Sequence, residues 1–218
     1  MYKRFLKRFF DIVCSFLALL LLGWLILFLA LLVRIKLGGP AFFRQQRPGL
    51  IDPKTGKETI FTMYKLRTMS NETDSEGNLL SDVQRLSKFG RFLRATSLDE
   101  LPELWCIFTG KMSIVGPRPL AVQYLPYYTP QEHRRHSVRP GLTGLAQVNG
   151  RNASTWEDRF RYDLEYVDSV SFSKDLGILF KTVSVTLHRT GIGVRGIDSM
   201  PDFDTYRQNA TEKEHELV

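Results

Sequence analysis

The chain has 218 residues, 43% hydrophobic and 12% aromatic, enough for a real core in one domain or one domain plus an appendage. Its 30 Lys and Arg outnumber 23 Asp and Glu, and the net charge of +7 points to an anionic partner: nucleic acid, a membrane surface or a phosphorylated substrate. With 2 cysteines, Cys14 and Cys106, the composition speaks against a disulfide framework or a zinc site and fits a reducing compartment.

From Ile12 to Val33 no residue is charged. As a helix this run reaches about 33 Å, against a hydrocarbon core of roughly 30 Å, and it is too long for a signal-peptide core. Lys3, Arg4, Lys7 and Arg8 precede it, and Arg34, Lys36, Arg44 and Arg47 follow it. Positive charge marks the cytoplasmic side, so two basic flanks predict a re-entrant helix that enters, bends and returns to the same face. Asp11 at the boundary is expected to pair with Arg8.

Gly38-Gly39-Pro40 ends the helix. Ala41–Gln45 and Thr59–Met69 read as two strands around a turn-rich segment from Arg47-Pro48-Gly49 to Gly56. Lys65 and Arg67 share a strand face by the period of two, either as a solvated face or as a phosphate-facing pair. A polar loop spans Ser70–Ser81. Val83–Leu93 then reads as a basic helix, with Arg85, Lys88, Arg91 and the adjoining Arg94 suited to anionic headgroups.

The stretch Arg94-Ala-Thr-Ser-Leu-Asp-Glu-Leu-Pro-Glu-Leu-Trp105 carries the most chemistry. Pro102 fits a first helical turn, Leu101, Leu104, Trp105 and Phe108 recur at helical spacing, and Gly110 ends the run. Asp99 and Glu100 therefore fall at a helix N-terminus, where the dipole favours negative charge. Ser97 with Glu100 also spells a capping box, so a structural role competes with a chemical one. Further on, Pro117 and Pro119 fix the backbone around Arg118, and a held guanidinium suits two-pronged phosphate binding. A second Gly-rich loop region carries Arg139 and Arg151. Trp156–Val167 and Lys174–His188 read as amphipathic helices, and the tail after Gly191 as loosely ordered. The expected fold class is α+β: residues 1–37 a membrane-inserted helix, 38–190 a compact, mainly helical, membrane-associated domain with a small β-hairpin, 191–218 a polar tail.

These residues resemble the monotopic phosphoglycosyl transferases, or bacterial sugar transferases, from Lys7-Arg8-Phe9-Phe10-Asp11 to about Leu187. The resemblance rests on Arg47-Pro48-Gly49, Tyr64-Lys65-Leu66-Arg67-Thr68-Met69, Thr96-Ser97-Leu98-Asp99-Glu100-Leu101-Pro102, Val115-Gly116-Pro117-Arg118-Pro119, Arg139-Pro140-Gly141 and Ala146-Gln147-Val148-Asn149-Gly150-Arg151. The chain looks like a minimal member without additional transmembrane helices. The resemblance implies a membrane enzyme on the cytoplasmic face of the bacterial inner membrane. It would move a phosphosugar from a UDP-sugar to a polyprenol phosphate such as undecaprenyl phosphate and release UMP. Asp99 is the implied nucleophile and Glu100 a base or a partner that tunes the lipid phosphate. Lys65, Arg67, Arg94, Arg118 and Arg151 are the implied phosphate-binding residues, and Mg²⁺ is expected on Asp99 with the substrate phosphates. Membrane lipids are expected partners and nucleic acid is not. Neither a particular sugar nor an oligomeric state is singled out.

One position departs from the family pattern, which has Ser-Pro at the bend of the re-entrant helix where this chain has Gly23-Trp24. Glycine weakens a helix by about 1 kcal/mol and an internal proline by about 3, so Gly23 is a weak hinge. Two rival readings remain: a sugar-nucleotide glycosyl transferase that releases UDP, and a basic membrane-anchored nucleic-acid binder, which leaves the Asp99-Glu100 pair without a purpose.

Overall fold

Helix α1 spans Lys7–Leu37 and organises the molecule, for which a computed structural model describes residues 2–149, 155–187 and 201–216. Its leucine-rich run has high helix propensity and contains no proline. It stops at Gly38, whose φ of +63° suits glycine, with the Gly38 N–H donating to Arg34 O at 3.1 Å. The helix is long and apolar enough to cross a membrane.

One stripe of α1 is covered along its length. Asp11, Ser15, Ile26, Leu29, Ala30 and Val33 are buried, and Ala18, Leu19 and Leu22 pack on the same side against the core around Phe61, Met63 and Ile107. The opposite stripe, with Leu20, Leu21, Trp24, Leu27 and Leu31, is exposed. The helix break expected at Gly23 is not seen: α1 runs through that position without interruption. Packing on the domain supports the helix on both sides of that position, so a weak helix former does not break it.

The expected Asp11–Arg8 pair is also absent, because each finds a more distant backbone partner. Asp11 accepts from the Ile114 N–H at 3.0 Å. Arg8 donates to Ile107 O and Phe108 O at 2.6 and 2.7 Å, satisfying carbonyls at a helix end that lack intrahelical donors.

Strands β1 (Phe42–Ile51) and β2 (Glu58–Leu66) form an antiparallel hairpin, with Phe42 opposite Leu66 and a bulge between Pro48 and Ile51. The first strand runs further than its turn residues suggest and the second stops earlier. The expected basic helix is split into α2 (Asp82–Arg85) and α3 (Lys88–Ala95), since the Ser87 side chain accepts from the Gly90 N–H at 2.9 Å and starts a new helix. Helix α4 (Glu103–Phe108) leads to β3 (Ser113–Val115), followed by a short α5 (Pro130–His133). Strand β3 pairs in parallel with β4 (Gly141–Thr143). Gly116, just after β3, has to be glycine: a Cβ there would lie 2.4 Å from Arg139 O.

Helices α6 (Leu145–Asn149), α7 (Trp156–Asp168) and α8 (Phe172–Leu187) complete the domain, the last two close to where the hydrophobic spacing places them. The tail departs from expectation. Residues Phe203–Glu216 form α9, and Phe203 is fully buried among Tyr124, Trp156 and Phe160. Phe203, with Tyr206 partly buried beside it and Arg207 paired with Glu132, docks a segment whose overall composition is polar. The stretch from 191 to 200 lies outside the described residues.

Candidate active site

After α3 the chain turns through Ser97, the one described non-glycine residue with a positive φ, +55°. Left-handed geometry there points the chain into a 3-10 turn, Leu98–Glu100, and the Ser97 side chain makes no cap hydrogen bond. The capping box expected of Ser97 and Glu100 is therefore not formed. Asp99 and Glu100 sit one turn ahead of α4, and Pro102 takes its N-cap position.

The two acidic residues meet different surroundings. Lys65, near the end of β2, places its Nζ 2.5 Å from Glu100 Oε1 and 3.1 Å from Glu103 Oε1. Arg118 Nη2 reaches the same Glu100 oxygen at 3.2 Å while its side chain stays half exposed. Glu100 thus lies between two cations, and Asp99 is buried with no ion pair among the described residues. Arg94 donates to Thr68 Oγ1 and Met69 Sδ, both at 2.9 Å. Its charge also acts favourably on the Asp99 carboxylate.

Arg67 does not share the Lys65 environment. Strand β2 ends at Leu66, and the Arg67 guanidinium turns to Leu37 O at 2.6 Å, closing the end of α1. The period-two face fails where the strand stops. Arg151 lies outside the described residues.

Glu103 received no role from sequence reasoning, yet it completes the cluster. It follows Asp99 by four residues and Glu100 by three, the spacing that puts side chains on one helical face. Its carboxylate is only 4% exposed and faces Lys65.

Burial, and then the neighbouring Glu100 charge, push the Asp99 carboxyl up to about 6, against the pull of Lys65 and Arg94. Burial likewise pushes Glu103 up to about 6 although Lys65 opposes it. For Glu100 burial acts upward too, but Arg118 and Lys65 together outweigh it and hold the group well below the usual carboxylate range. Three carboxylates in one cluster are thereby divided into a firmly ionised one and two poised nearer neutrality.

A pH dependence follows. An acid whose pKa is raised is ionised only above the shifted value, so a reaction that needs the Asp99 anion should lose kcat/KM as pH falls through about 6. Glu103→Gln tells the two poised groups apart. The acid limb should survive in that variant, as read from a kcat/KM profile between pH 5 and 8.

Among the described residues no group of three or more His, Cys, Asp or Glu is arranged to hold a metal ion. Asp99 offers a hard carboxylate oxygen, which fits Mg²⁺ bound through one protein ligand and substrate phosphates, the usual arrangement for that ion.

The family described as "Bacterial sugar transferase" matches residues 2–189. The chain is 51% identical over 187 residues to the Bacillus subtilis "Uncharacterized sugar transferase EpsL", covering 86% of this chain and 90% of that one. It is 38% identical over 206 residues to the Salmonella typhimurium undecaprenyl-phosphate galactose phosphotransferase, covering 87% and 42%. It is 41% identical over 189 residues to the Escherichia coli UDP-glucose:undecaprenyl-phosphate glucose-1-phosphate transferase, covering 83% and 40%. The chain thus spans under half the length of the last two. With the match running from the start of α1 through the carboxylate cluster to the end of α8, the chain belongs to the bacterial sugar transferase family.

Proposed function

We propose that the protein transfers a phosphosugar from a UDP-sugar to a polyprenol phosphate, undecaprenyl phosphate being the acceptor named for its relatives, and releases UMP. The observation that carries this reading is the cluster itself: a buried carboxylate, Asp99, beside Lys65, Arg94 and Arg118. An anionic nucleophile approaches an anionic diphosphate only where positive charge is fixed nearby.

In the first step an Asp99 oxygen attacks the sugar-proximal phosphorus, the bond from that phosphorus to the bridging oxygen breaks, and UMP leaves with the electron pair. In the second, an oxygen of the lipid phosphate attacks the same phosphorus and displaces the carboxylate, giving a polyprenyl diphosphate sugar and free Asp99. Arg118 and Lys65 hold phosphate oxygens through both steps. Glu100, kept ionised by those same cations, is a poor match for a general base and instead orients them. Mg²⁺, when bound at Asp99 and the diphosphate, supplies charge neutralisation for the leaving group.

The reading is tested by supplying a panel of UDP-sugars with a polyprenol phosphate and measuring the nucleotide released. UMP is expected, and UDP would identify a glycosyl transferase instead.

The same proposal places the protein at the cytoplasmic face of the inner membrane. Its support is the outer stripe of α1, which continues through ring contacts between Phe16 and Phe108 and between Phe10 and Phe172. Both ends of α1 are tied to the domain. Tyr2 Oη and Lys7 Nζ each lie 2.6 Å from Asp175 Oδ2, and Arg67 holds Leu37. Residue 2 should therefore share the domain's side of the membrane. A single cysteine at Tyr2, with Cys14 and Cys106 removed, should resist an impermeant thiol reagent added to intact cells; labelling would mean a spanning helix.

A further inference from the structure

The loop that carries Arg118 has few means of holding itself. Pro117 and Pro119 have no N–H, so the residues on either side of Arg118 cannot donate a backbone hydrogen bond. Its fixed points come from elsewhere. Gly116 N–H donates to Thr143 O and Gly141 N–H donates to Pro117 O, both at 2.9 Å. The third tie is a side chain: Arg135 Nη2 donates to Arg118 O at 2.7 Å.

Arg135 is 2% exposed, and its counter-ion Asp163 is 3% exposed. One Asp163 oxygen accepts from Arg135 Nε at 2.9 Å and from Nη2 at 2.6 Å. The rings of Tyr128 and Phe160 stand 5.8 Å from the guanidinium carbon. A buried ion pair of this kind is a weak source of stability, because apolar side chains of similar volume often do as well or better. Apolar side chains could not donate to Arg118 O. A planar fork fixed by a carboxylate can, since its orientation is set before the second contact is made.

We propose that Arg135, oriented by Asp163, is a positioning residue: it sets the backbone of Arg118 so that the Arg118 guanidinium stands beside Glu100, where the phosphates of the donor bind. This rests on the reading of Arg118 as a phosphate-binding group. Arg135 then acts through Arg118, and its influence disappears once Arg118 can no longer make a planar contact.

A double-mutant cycle on UMP release tests this, with Arg135→Lys and Arg118→Lys made singly and together and folding followed by thermal unfolding. Lysine keeps the charge opposite Asp163 but has one nitrogen with which to serve both Asp163 and Arg118 O. Arg135→Lys should lower kcat/KM about tenfold in the parent and less than about twofold in the Arg118→Lys background. If that variant does not fold, the nearly isosteric Asp163→Asn takes its place in the same cycle. Losses that multiply in full in both backgrounds overturn the proposal, as does parental activity in both Arg135→Lys and Asp163→Asn. Parental activity in Arg118→Lys alone is a different failure: it removes Arg118 from the phosphate site and with it the premise.

Discussion

Asp99→Asn should be inactive and, at neutral pH, more stable than the parent. The change is nearly isosteric and removes only the charge and the nucleophilic oxygen, so turnover and the covalent phosphosugar adduct should be lost together. The stability half comes from the carboxyl being pushed up to about 6, against an ordinary 3.8. A raised acid pKa means that its stabilising contribution is fully present below the unfolded value and lost as pH rises through the folded one. At pH 7 the parent therefore carries an ionised group that its buried site disfavours. Removing that charge should give a gain on the order of 2 kcal/mol, which shrinks as pH falls below 6. A helix-capping Asp99 predicts the reverse, a loss of about 1 kcal/mol. Denaturant unfolding at pH 5 and pH 7 reads the sign, and adduct trapping followed by peptide mapping reads the site. A phosphosugar found on any other residue would sink the assignment.

Lys65→Met should damage both stability and rate. The lysine is the shared cation of Glu100 and Glu103, whose side chains are 20% and 4% exposed. Without it Glu103 faces Glu100 with no adjacent positive charge except the half-exposed Arg118. Breaking a buried ionic cluster from one side typically costs 3–5 kcal/mol, and the more open position of Glu100 argues for about 3 here. The carboxylate pKa values should then rise, so the deficit at pH 7 should narrow as the buffer is acidified and the carboxylates protonate. Adding Glu103→Gln should restore much of the stability and none of the rate, since the donor phosphates would still lack their lysine. Recovery of the rate in that double variant would show Lys65 to be only structural.

What was legible in the sequence follows from the range of the interactions. Asp99, Glu100 and Lys65 stand in compact local strings, and the structure brings them together with Arg118. Helices α7 and α8 were visible because an amphipathic stripe is a local pattern. Residues whose roles depend on distant partners were misread or missed. Arg67 looked like a companion of Lys65 until Leu37, 30 residues earlier, claimed its guanidinium. Asp11 looked like a partner for Arg8, but Ile114 lies across the fold, 103 residues on. Phe203 gave no periodic signal because α9 is docked by a few aromatic and polar contacts to distant residues, Arg207 with Glu132 among them, and not by an apolar stripe. Arg135 and Asp163 received no role from the sequence, and only the packing of α7 against the turn around Arg135 encloses them. Ser97 carried the look of a cap, and its backbone conformation rather than its hydroxyl turned out to matter.

The split character of α1 has a consequence for how freely this segment can vary. Its outer stripe, with Leu20 at 65% and Leu27 at 70% exposure, is largely uncovered by the domain and should accept almost any apolar side chain. The inner stripe obeys jigsaw rules: Val33 and Leu29 fill defined space, and truncating either to Ala should cost about 2–4 kcal/mol through the cavity left behind. The segment is therefore two interleaved codes, one degenerate and one exact in register. Grafting a generic hydrophobic anchor in its place would satisfy the first and violate the second, and deleting it would strip a wall from the catalytic domain instead of freeing that domain into solution.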